Sequence, residues 1–283
     1  MKVVITSMRN EANYILEWVA WNIMIGFDKV IIFTNHNDDD SIAVLKTLKN
    51  YGYVEYFELK PPETAKPQMY AFSKGIEWLH KNRPDWVSCM DVDEFLFLKE
   101  HSSIHDYIDS FPEDIDAIAI NWKIFGSGNI EKKGLGLSVE RFLMRAEEAY
   151  NQHYQFKSLF KYRDDLKRFH HRVFYESPYK YVYSNGKELT ENAKNPGFNL
   201  KIENDNYINF DRAQINHYTI RSHEEFMEKM FRGNGLDAPE TENRRHKQYL
   251  NKFDKNDVYE KDILKDLDRY IHCYEKIKKE CDL

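Results

Sequence analysis

The feature that most limits how this chain can fold is the alternation of strand-like and helix-like segments over residues 1–95. Lys2 to Ser7 is a mostly apolar run, as expected of a strand covered on both faces. Asn10 stands where it can cap a helix carrying Tyr14, Ile15, Trp18, Val19 and Ile23 at helical spacing, and Gly26 ends that pattern. Val30-Ile31-Ile32-Phe33 reads as a second strand, followed by a polar loop from Asn35 to Asp40. Ser41 is placed to cap a helix bearing Val44, Leu45 and Leu48, and Gly52 closes it. Val54 to Leu59 is a third strand. Pro61, Pro62 and Pro67 mark a loop, Gln68 to His80 a further helix, and Trp86 to Met90 a fourth strand. That strand ends in Asp91-Val92-Asp93-Glu94-Phe95.

Such alternation predicts an α/β fold: a Rossmann-like, mostly parallel sheet with right-handed crossovers and helices on its faces. Open sheets of this kind bind ligands beyond the carboxyl ends of their strands. Three polar clusters fall at such ends, namely Arg9-Asn10-Glu11, Asn35 to Asp40, and Asp91 to Glu94, so they are expected to converge.

The second half is less regular. Ala117 to Trp122, Phe156 to Phe160, Arg172 to Tyr175, Tyr181 to Tyr183 and Gln214 to Tyr218 read as short strands, and His223 to Arg232 as a helix. Val258 to Lys279 reads as one amphipathic helix, with Ile263, Leu264, Leu267, Tyr270, Ile271 and Tyr274 on its apolar face. The expected division is a domain over residues 1–235 and a C-terminal helical extension, 236–283, packed on it.

Charge and cysteine content narrow the function. A net charge of -6 argues against a generic nucleic-acid binder, which needs a basic face. Cys89, Cys273 and Cys281 form no CxxC pair, so neither a disulfide framework nor a cysteine zinc site is expected, and a reducing cytoplasm fits. No run approaches a membrane span of about 20 apolar residues. Peripheral contact with the inner face of a membrane stays compatible with the sequence.

Asp-x-Asp occurs four times, at Asp38/Asp40, Asp91/Asp93, Asp114/Asp116 and Asp266/Asp268. Asp91/Asp93 differs in being delivered by an apolar strand to the ligand-binding edge. Two carboxylates there repel unless a cation joins them. Mg2+ or Mn2+ takes oxygen ligands and leaves positions for phosphate oxygens. The alternative is a pair of capping or salt-bridged aspartates.

Several motifs occur in one order. They are Arg9-Asn10-Glu11 before Glu17-Trp18, the loop at Asn35, Trp86 to Phe95, Asn121-Trp122 with Phe125-Gly126-Ser127, and His217-Tyr218 with Ser222 and Arg232-Gly233. Together they resemble the glycosyltransferase family 2-like and family 92-like (DUF23-related) enzymes, which have the GT-A fold. The likeness runs from Lys2 to Gly233 and leaves the tail uncovered. It implies a metal-dependent transferase that takes a nucleotide-sugar donor. Asp91 would face the donor ribose or the metal, Asp93 would be the principal Mn2+ or Mg2+ ligand, and His217 would complete the shell. Glu11 and Asn35 would lie near the nucleoside, and Lys229 and Arg232 near the diphosphate. Asn121 and Trp122 would lie on the side of a glycan or lipid-linked acceptor, with Trp122 able to stack on a sugar. The chain departs from the usual pattern at Arg221, where lysine is common, and at Asn37, where serine is.

The reaction this implies is inverting displacement at the anomeric carbon, with a carboxylate taking the acceptor's proton. Glu131 and Glu140, downstream of the acceptor loop, are the candidate bases, and Glu94 a supporting residue. His170-His171 could serve as acceptor-side ligands, but a histidine pair in an aromatic strand is more often packing plus a surface residue. Two competitors stand beside this reading. A haloacid-dehalogenase-like phosphotransferase also places Asp-x-Asp after a strand, but normally after the first one. A non-catalytic sugar- or nucleotide-binding module would tolerate loss of the acidic pair, which is intact.

Overall fold

The computed structural model describes residues 1–189, 208–231 and 245–283. The expected boundary at residue 235 and Arg232 lie outside the described residues. The strands are β1 (Lys2–Met8), β2 (Lys29–Asn35), β3 (Glu55–Leu59), β4 (Trp86–Cys89), β5 (Glu94–Leu98), β6 (Ala117–Ile124), β7 (Met144–Arg145), β8 (Phe156–Lys161), β9 (Leu166–Arg168), β10 (Phe174–Tyr175), β11 (Tyr181–Tyr183), β12 (Ala213–His217) and β13 (Val258–Tyr259). The helices are α1 (Ile15–Met24), α2 (Ser41–Asn50), α3 (Pro67–Asn82), α4 (Ile104–Asp109), α5 (Ser138–Arg141), α6 (His223–Phe231), α7 (Arg245–Phe253) and α8 (Leu267–Cys281).

The main sheet runs β3-β2-β1-β4-β8-β6-β12-β5, with β11 also paired to β6. Strands β1 to β4 are parallel, as are β6–β11 and β6–β12. Only β8 and β5 pair antiparallel within the described sheet. The result is the mixed α/β, mostly parallel architecture expected from the alternation.

Alternate residues of β1 explain why it reads as an unbroken apolar run. Val4 joins the core under α1 with Trp18, Trp21 and Leu45, whereas Val3 and Ile5 join the core under α3 with Phe72 and Leu79. Burying both faces removes the polar alternation of a half-exposed strand. Two indole N–H groups of α1, on Trp18 and Trp21, donate to the carbonyls of Glu94 and Leu96 at 3.0 and 2.9 Å, fixing the helix over β5.

Three local expectations change. Asn10 does not cap α1: it adopts φ 54° and its side chain serves the neighbouring loop, and Tyr14 precedes the helix. Ser41 does not cap α2 either; its hydroxyl accepts from the Glu11 N–H at 2.9 Å. The tail is also not one helix from Val258. Residues 258–259 pair with β7, Asp262–Asp266 is a 3-10 turn, and α8 starts at Leu267. Helix α8 packs on α1 through Tyr270, whose ring meets Trp21 at 5.0 Å and whose hydroxyl donates to the Glu17 carbonyl at 2.8 Å. Among the described residues no helix is long and apolar enough to cross a membrane.

Candidate active site

Strand β4 delivers Asp91-Val92-Asp93 to the carboxyl edge of the parallel strands, beside the ends of β1 and β2. The loops after β1 and β2 are knitted together. Asn10 N–H donates to Asn37 Oδ1 and Asp38 N–H to Asn10 Oδ1, both at 2.9 Å. Ala12 N–H donates to Asp39 Oδ2 and Arg9 Nε to the His36 carbonyl, both at 3.0 Å. Asn35 is buried at the end of β2, 3.1 Å from His36 Nδ1.

Arg221 links these loops to the acidic segment. Its guanidinium lies 3.5 Å from the centroid of the Tyr14 ring and donates to the Val92 carbonyl (3.4 Å) and Ser138 Oγ (3.3 Å). It is 4.0 Å from the buried Glu17 carboxylate and interacts electrostatically with Glu11 and Asp93. The first and third clusters therefore meet at a buried arginine, and the second is tied to the first.

The two aspartates have different partners. Asp91 accepts from Lys157 Nζ at 2.9 Å and from Gln68 Nε2 at 3.1 Å, and Lys157 also lies 3.2 Å from Glu94. Asp93 accepts from Lys229 Nζ through Oδ2, and its Oδ1 is 3.5 Å from His217 Nε2. The Thr219 carbonyl and hydroxyl hold Lys229 at 3.2 and 3.3 Å. Burial pushes the Asp93 carboxyl up, but Lys229, His217 and Arg221 overcome this and hold it well below its ordinary value. Burial likewise opposes ionisation of Asp91, and Lys157 with His170 prevails and lowers it. Glu94 goes the other way. Its full burial, reinforced by Asp91 and Asp93, outweighs Lys157 and raises it well above the usual range.

Asp91, Asp93 and His217 thus do not form the single ligand set expected from sequence. Asp93 and His217 meet, while Asp91 turns to Lys157 and Gln68. Among the described residues no group of three or more His, Cys, Asp or Glu side chains is assembled for a metal. A carboxylate oxygen and an imidazole nitrogen 3.5 Å apart still suit Mg2+ or Mn2+, which commonly takes one or two protein ligands and fills the rest of its shell from substrate phosphates and water. Such an ion would have to share Asp93 with Lys229, because in the described structure both aspartates are ion-paired to lysines, the salt-bridged alternative that the sequence left open.

His217 is held by strand pairing and by rings. β12 runs antiparallel to β5, with His217 opposite Glu94, and Tyr218 N–H donates to the Asp93 carbonyl at 2.8 Å. The Trp122 ring is 4.3 Å from the His217 ring and 5.1 Å from that of His171. Trp122 is 8% exposed. It packs against the site rather than offering a stacking face on the acceptor side. Asn121 is fully buried and donates to the His153 carbonyl (2.9 Å) while accepting from Asn209 N–H (3.1 Å), so it braces the backbone.

Each of the two candidate bases has one partner. Glu140 accepts from Leu137 N–H at 2.9 Å and so caps α5. Glu131 lies 3.1 Å from His223 Nδ1 at the start of α6. Lys229 is six residues further along, roughly 9 Å of helix rise. Helix α6 is anchored by Glu225, which takes two bonds from Arg141 at 3.0 and 2.7 Å and one from Tyr14 at 3.0 Å.

Sequence reasoning missed Lys157, Gln68 and the role of Arg221. A solitary lysine in the apolar run Phe156 to Phe160 was the available signal for the first. His170 and His171, read as packing, border the site. His170 interacts electrostatically with Asp91, and burial takes its imidazole down to about 4.

The chain is similar to several known proteins. A glycosyltransferase family 92 protein of Oryza sativa subsp. japonica is 28% identical over 108 residues, 38% of this chain and 18% of that protein. One of Ricinus communis is 25% identical over 109 residues, 37% of this chain and again 18% of its relative. The match therefore spans under a fifth of either relative's length. Among solved structures, S. aureus TarS 1-349 in complex with UDP aligns with a TM-score of 0.35 at 14% identity, over 64% of this chain and 60% of that one. The mannosyltransferase PcManGT from Pyrobaculum calidifontis, in complex with GDP-Man and Mn2+, aligns with a TM-score of 0.34 at 12% identity, over 56% and 44%. The model of glycosyltransferase family 92 matches residues 3–257, reaching past Gly233 through α7 to the residue before β13. With that match covering most of its length, the chain belongs to glycosyltransferase family 92.

Proposed function

We propose that this protein is a GT-A-type, metal-dependent glycosyltransferase. It moves a sugar from a nucleoside diphosphate to a hydroxyl of a glycan or lipid-linked acceptor, with inversion. The observation that carries the reading is the meeting of Asp93, His217 and Lys229 at the carboxyl edge of the parallel strands. Family membership supports the reaction class.

In this reading Asp93 and His217 hold Mn2+ or Mg2+, which supplies charge neutralisation for the departing diphosphate when bound. Lys229 stands beside the same carboxylate and adds positive charge on the leaving-group side. Arg221 fixes the Val92 carbonyl between the two aspartates and keeps the acidic turn from shifting. Asp91, with 30% of its side chain exposed, offers its free lone pairs to donor hydroxyls. Glu11 and Asn35 lie on the nucleoside side. Trp122 fixes the plane of His217. The acceptor's proton goes to a carboxylate, for which Glu131, 74% exposed beside His223, stays the better placed of the two candidates, since Glu140 accepts from the Leu137 N–H. The extension after residue 235 is read as part of the folded unit.

The test is turnover of a panel of UDP-glucose, UDP-galactose, UDP-GlcNAc and GDP-mannose with Mn2+, following nucleoside diphosphate release with and without EDTA. Release that needs the metal supports the proposal. No release from any donor, with hydrolysis of para-nitrophenyl phosphate instead, replaces it with the phosphotransferase reading. Donor binding without turnover supports the binding module.

A further inference from the structure

The geometry points to Lys157 as the positioning residue that divides labour between the two aspartates: it withholds Asp91 from the cation and leaves Asp93 to hold it. This rests on the proposed metal-dependent reading and adds a residue that the motif does not contain.

Lys157 is 1% exposed near the start of β8, where Phe156, Leu159 and Phe160 are also buried. A lysine is costly there unless paired. Its two partners are both at the end of β4: Asp91 at 2.9 Å and Glu94 at 3.2 Å. Strand β8 runs antiparallel beside β4, with Ser88 opposite Leu159, so the ammonium is carried past the end of the pairing to the acidic turn. Gln68, one residue into α3, donates to the other oxygen of Asp91. Each oxygen of Asp91 therefore has a protein donor on it. Asp93 is differently equipped, with one oxygen on Lys229 and the other facing an imidazole nitrogen that can ligate a metal.

The electrostatics follow from this placement. Two neighbouring carboxylates tend to capture one cation jointly. Lys157, 1% exposed and held also by Glu94, is fixed on the first, whereas Lys229, 26% exposed, has room to leave Asp93; the first is thereby left as an acceptor for hydroxyl groups. Removing the ammonium frees Asp91 to join the set, and cation affinity rises with the number of charged ligands.

The experiment titrates Mn2+ alone into the full chain, by calorimetry or by the paramagnetic resonance signal of free Mn2+. Four variants are compared with wild type: Asp91→Asn, Asp93→Asn, Lys157→Met and the double variant Lys157→Met/Asp91→Asn. The expected pattern has three parts. Asp93→Asn weakens Mn2+ about a hundredfold, whereas Asp91→Asn leaves it within about twofold. Lys157→Met tightens Mn2+ about tenfold, and adding Asp91→Asn abolishes that gain. A residue that merely fills space gives no gain of metal affinity and no dependence on Asp91. Folded Lys157→Met with unchanged or weaker Mn2+ binding overturns the proposal. So does Asp91→Asn costing as much affinity as Asp93→Asn, a comparison that stands even if the lysine variants do not fold. Wild-type protein that binds no Mn2+ overturns the metal-dependent reading itself, and is thereby distinct from failure of the role of Lys157.

Discussion

His217 Nε2 lies 3.5 Å from Asp93 Oδ1 because strand pairing, not local sequence, brings them together. Strand β5 starts directly after Asp93, and β12 returns antiparallel to it with His217 opposite Glu94. The Tyr218 N–H then closes on the Asp93 carbonyl. Asp93→Asn keeps the shape and these backbone bonds while removing the charge. Its expected effect is loss of donor turnover by at least about a hundredfold, with a melting temperature within a few degrees of wild type. Asp266→Ala, whose carboxylate pairs with Arg269 on the far tail, is the control for generic loss of acid. Retained turnover in Asp93→Asn with Mn2+ added removes Asp93 from the cation site.

Trp122 bears on the same imidazole from the other side. Its ring lies 4.3 Å from His217 and its indole N–H is buried without a hydrogen-bond partner. The ring, rather than the N–H, is what holds His217 in the described structure. Trp122→Phe should therefore retain most of the Mn2+ affinity. Trp122→Ala, which leaves His217 free to rotate, should weaken it about tenfold and destabilise the fold by about 3–5 kcal/mol. Equal losses of Mn2+ affinity in both variants would transfer the role to the indole nitrogen.

The first four strands were legible because each is an apolar run of strand length between turn residues, and burial on both faces produces that pattern. Strand β5 was hidden because it follows Asp93 at once and looks like a continuation of β4. The false cap at Asn10 shows a different limit: the residue type suits a helix start, but its side chain is taken by Asp38, a partner brought by another strand. The nearness of Asp93 and His217 was foreshadowed by strand position and motif order. The separation of Asp91 from the cation set could not, because it depends on Lys157 arriving from β8 and Gln68 from α3. The burial of Trp122 and Asn121 was illegible for a related reason, since β6 is interior to the sheet and encloses both side chains.

His153 gives the protein a defined acid sensitivity. Its ring accepts the Ile124 N–H at 3.0 Å through Nε2, and Nδ1 lies 3.2 Å from the Glu148 carbonyl. Burial, aided by Lys123 and Arg145 and opposed by the Glu148 carbonyl and Glu260, takes its pKa down to about 4. The unfolded chain protonates near 6.5, so it binds the extra proton between those values. Stability is then full above pH 6.5 and falls as pH drops toward 4, by about 1.4 kcal/mol per pH unit for this one group. His170, also buried with a pKa of about 4, adds in the same direction. His223, raised chiefly by its bond to Asp254, has the opposite sign and gains stability on acidification. Denaturant melts at pH 7, 6 and 5 should show the wild type losing stability faster than His153→Gln, whose side chain can still accept the Ile124 N–H. Parallel pH profiles would mean that His153 is not buried as a neutral acceptor.

Gly126 sits where the chain's return after α7 touches the loop after β6. A Cβ there would lie 2.4 Å from the Lys255 carbonyl oxygen, 2.7 Å from the Lys255 nitrogen and 2.5 Å from Asn256 Oδ1. The same segment supplies the acceptors of the loop: Asp254 takes the Ser127 N–H at 2.7 Å, and Asn256 takes the Gly128 N–H at 2.6 Å. Gly126→Ala must therefore push residues 254–256 outward and stretch both bonds. The expected cost is about 1–3 kcal/mol, read as a lower melting temperature. Phe253, immediately before this segment, has its ring 6.3 Å from that of His217, so the displacement reaches the site. Mn2+ affinity should fall with stability in Gly126→Ala, and limited proteolysis should cut first near residue 255. A melting temperature and Mn2+ affinity both equal to wild type would show that the loop and the returning segment are not in contact in solution.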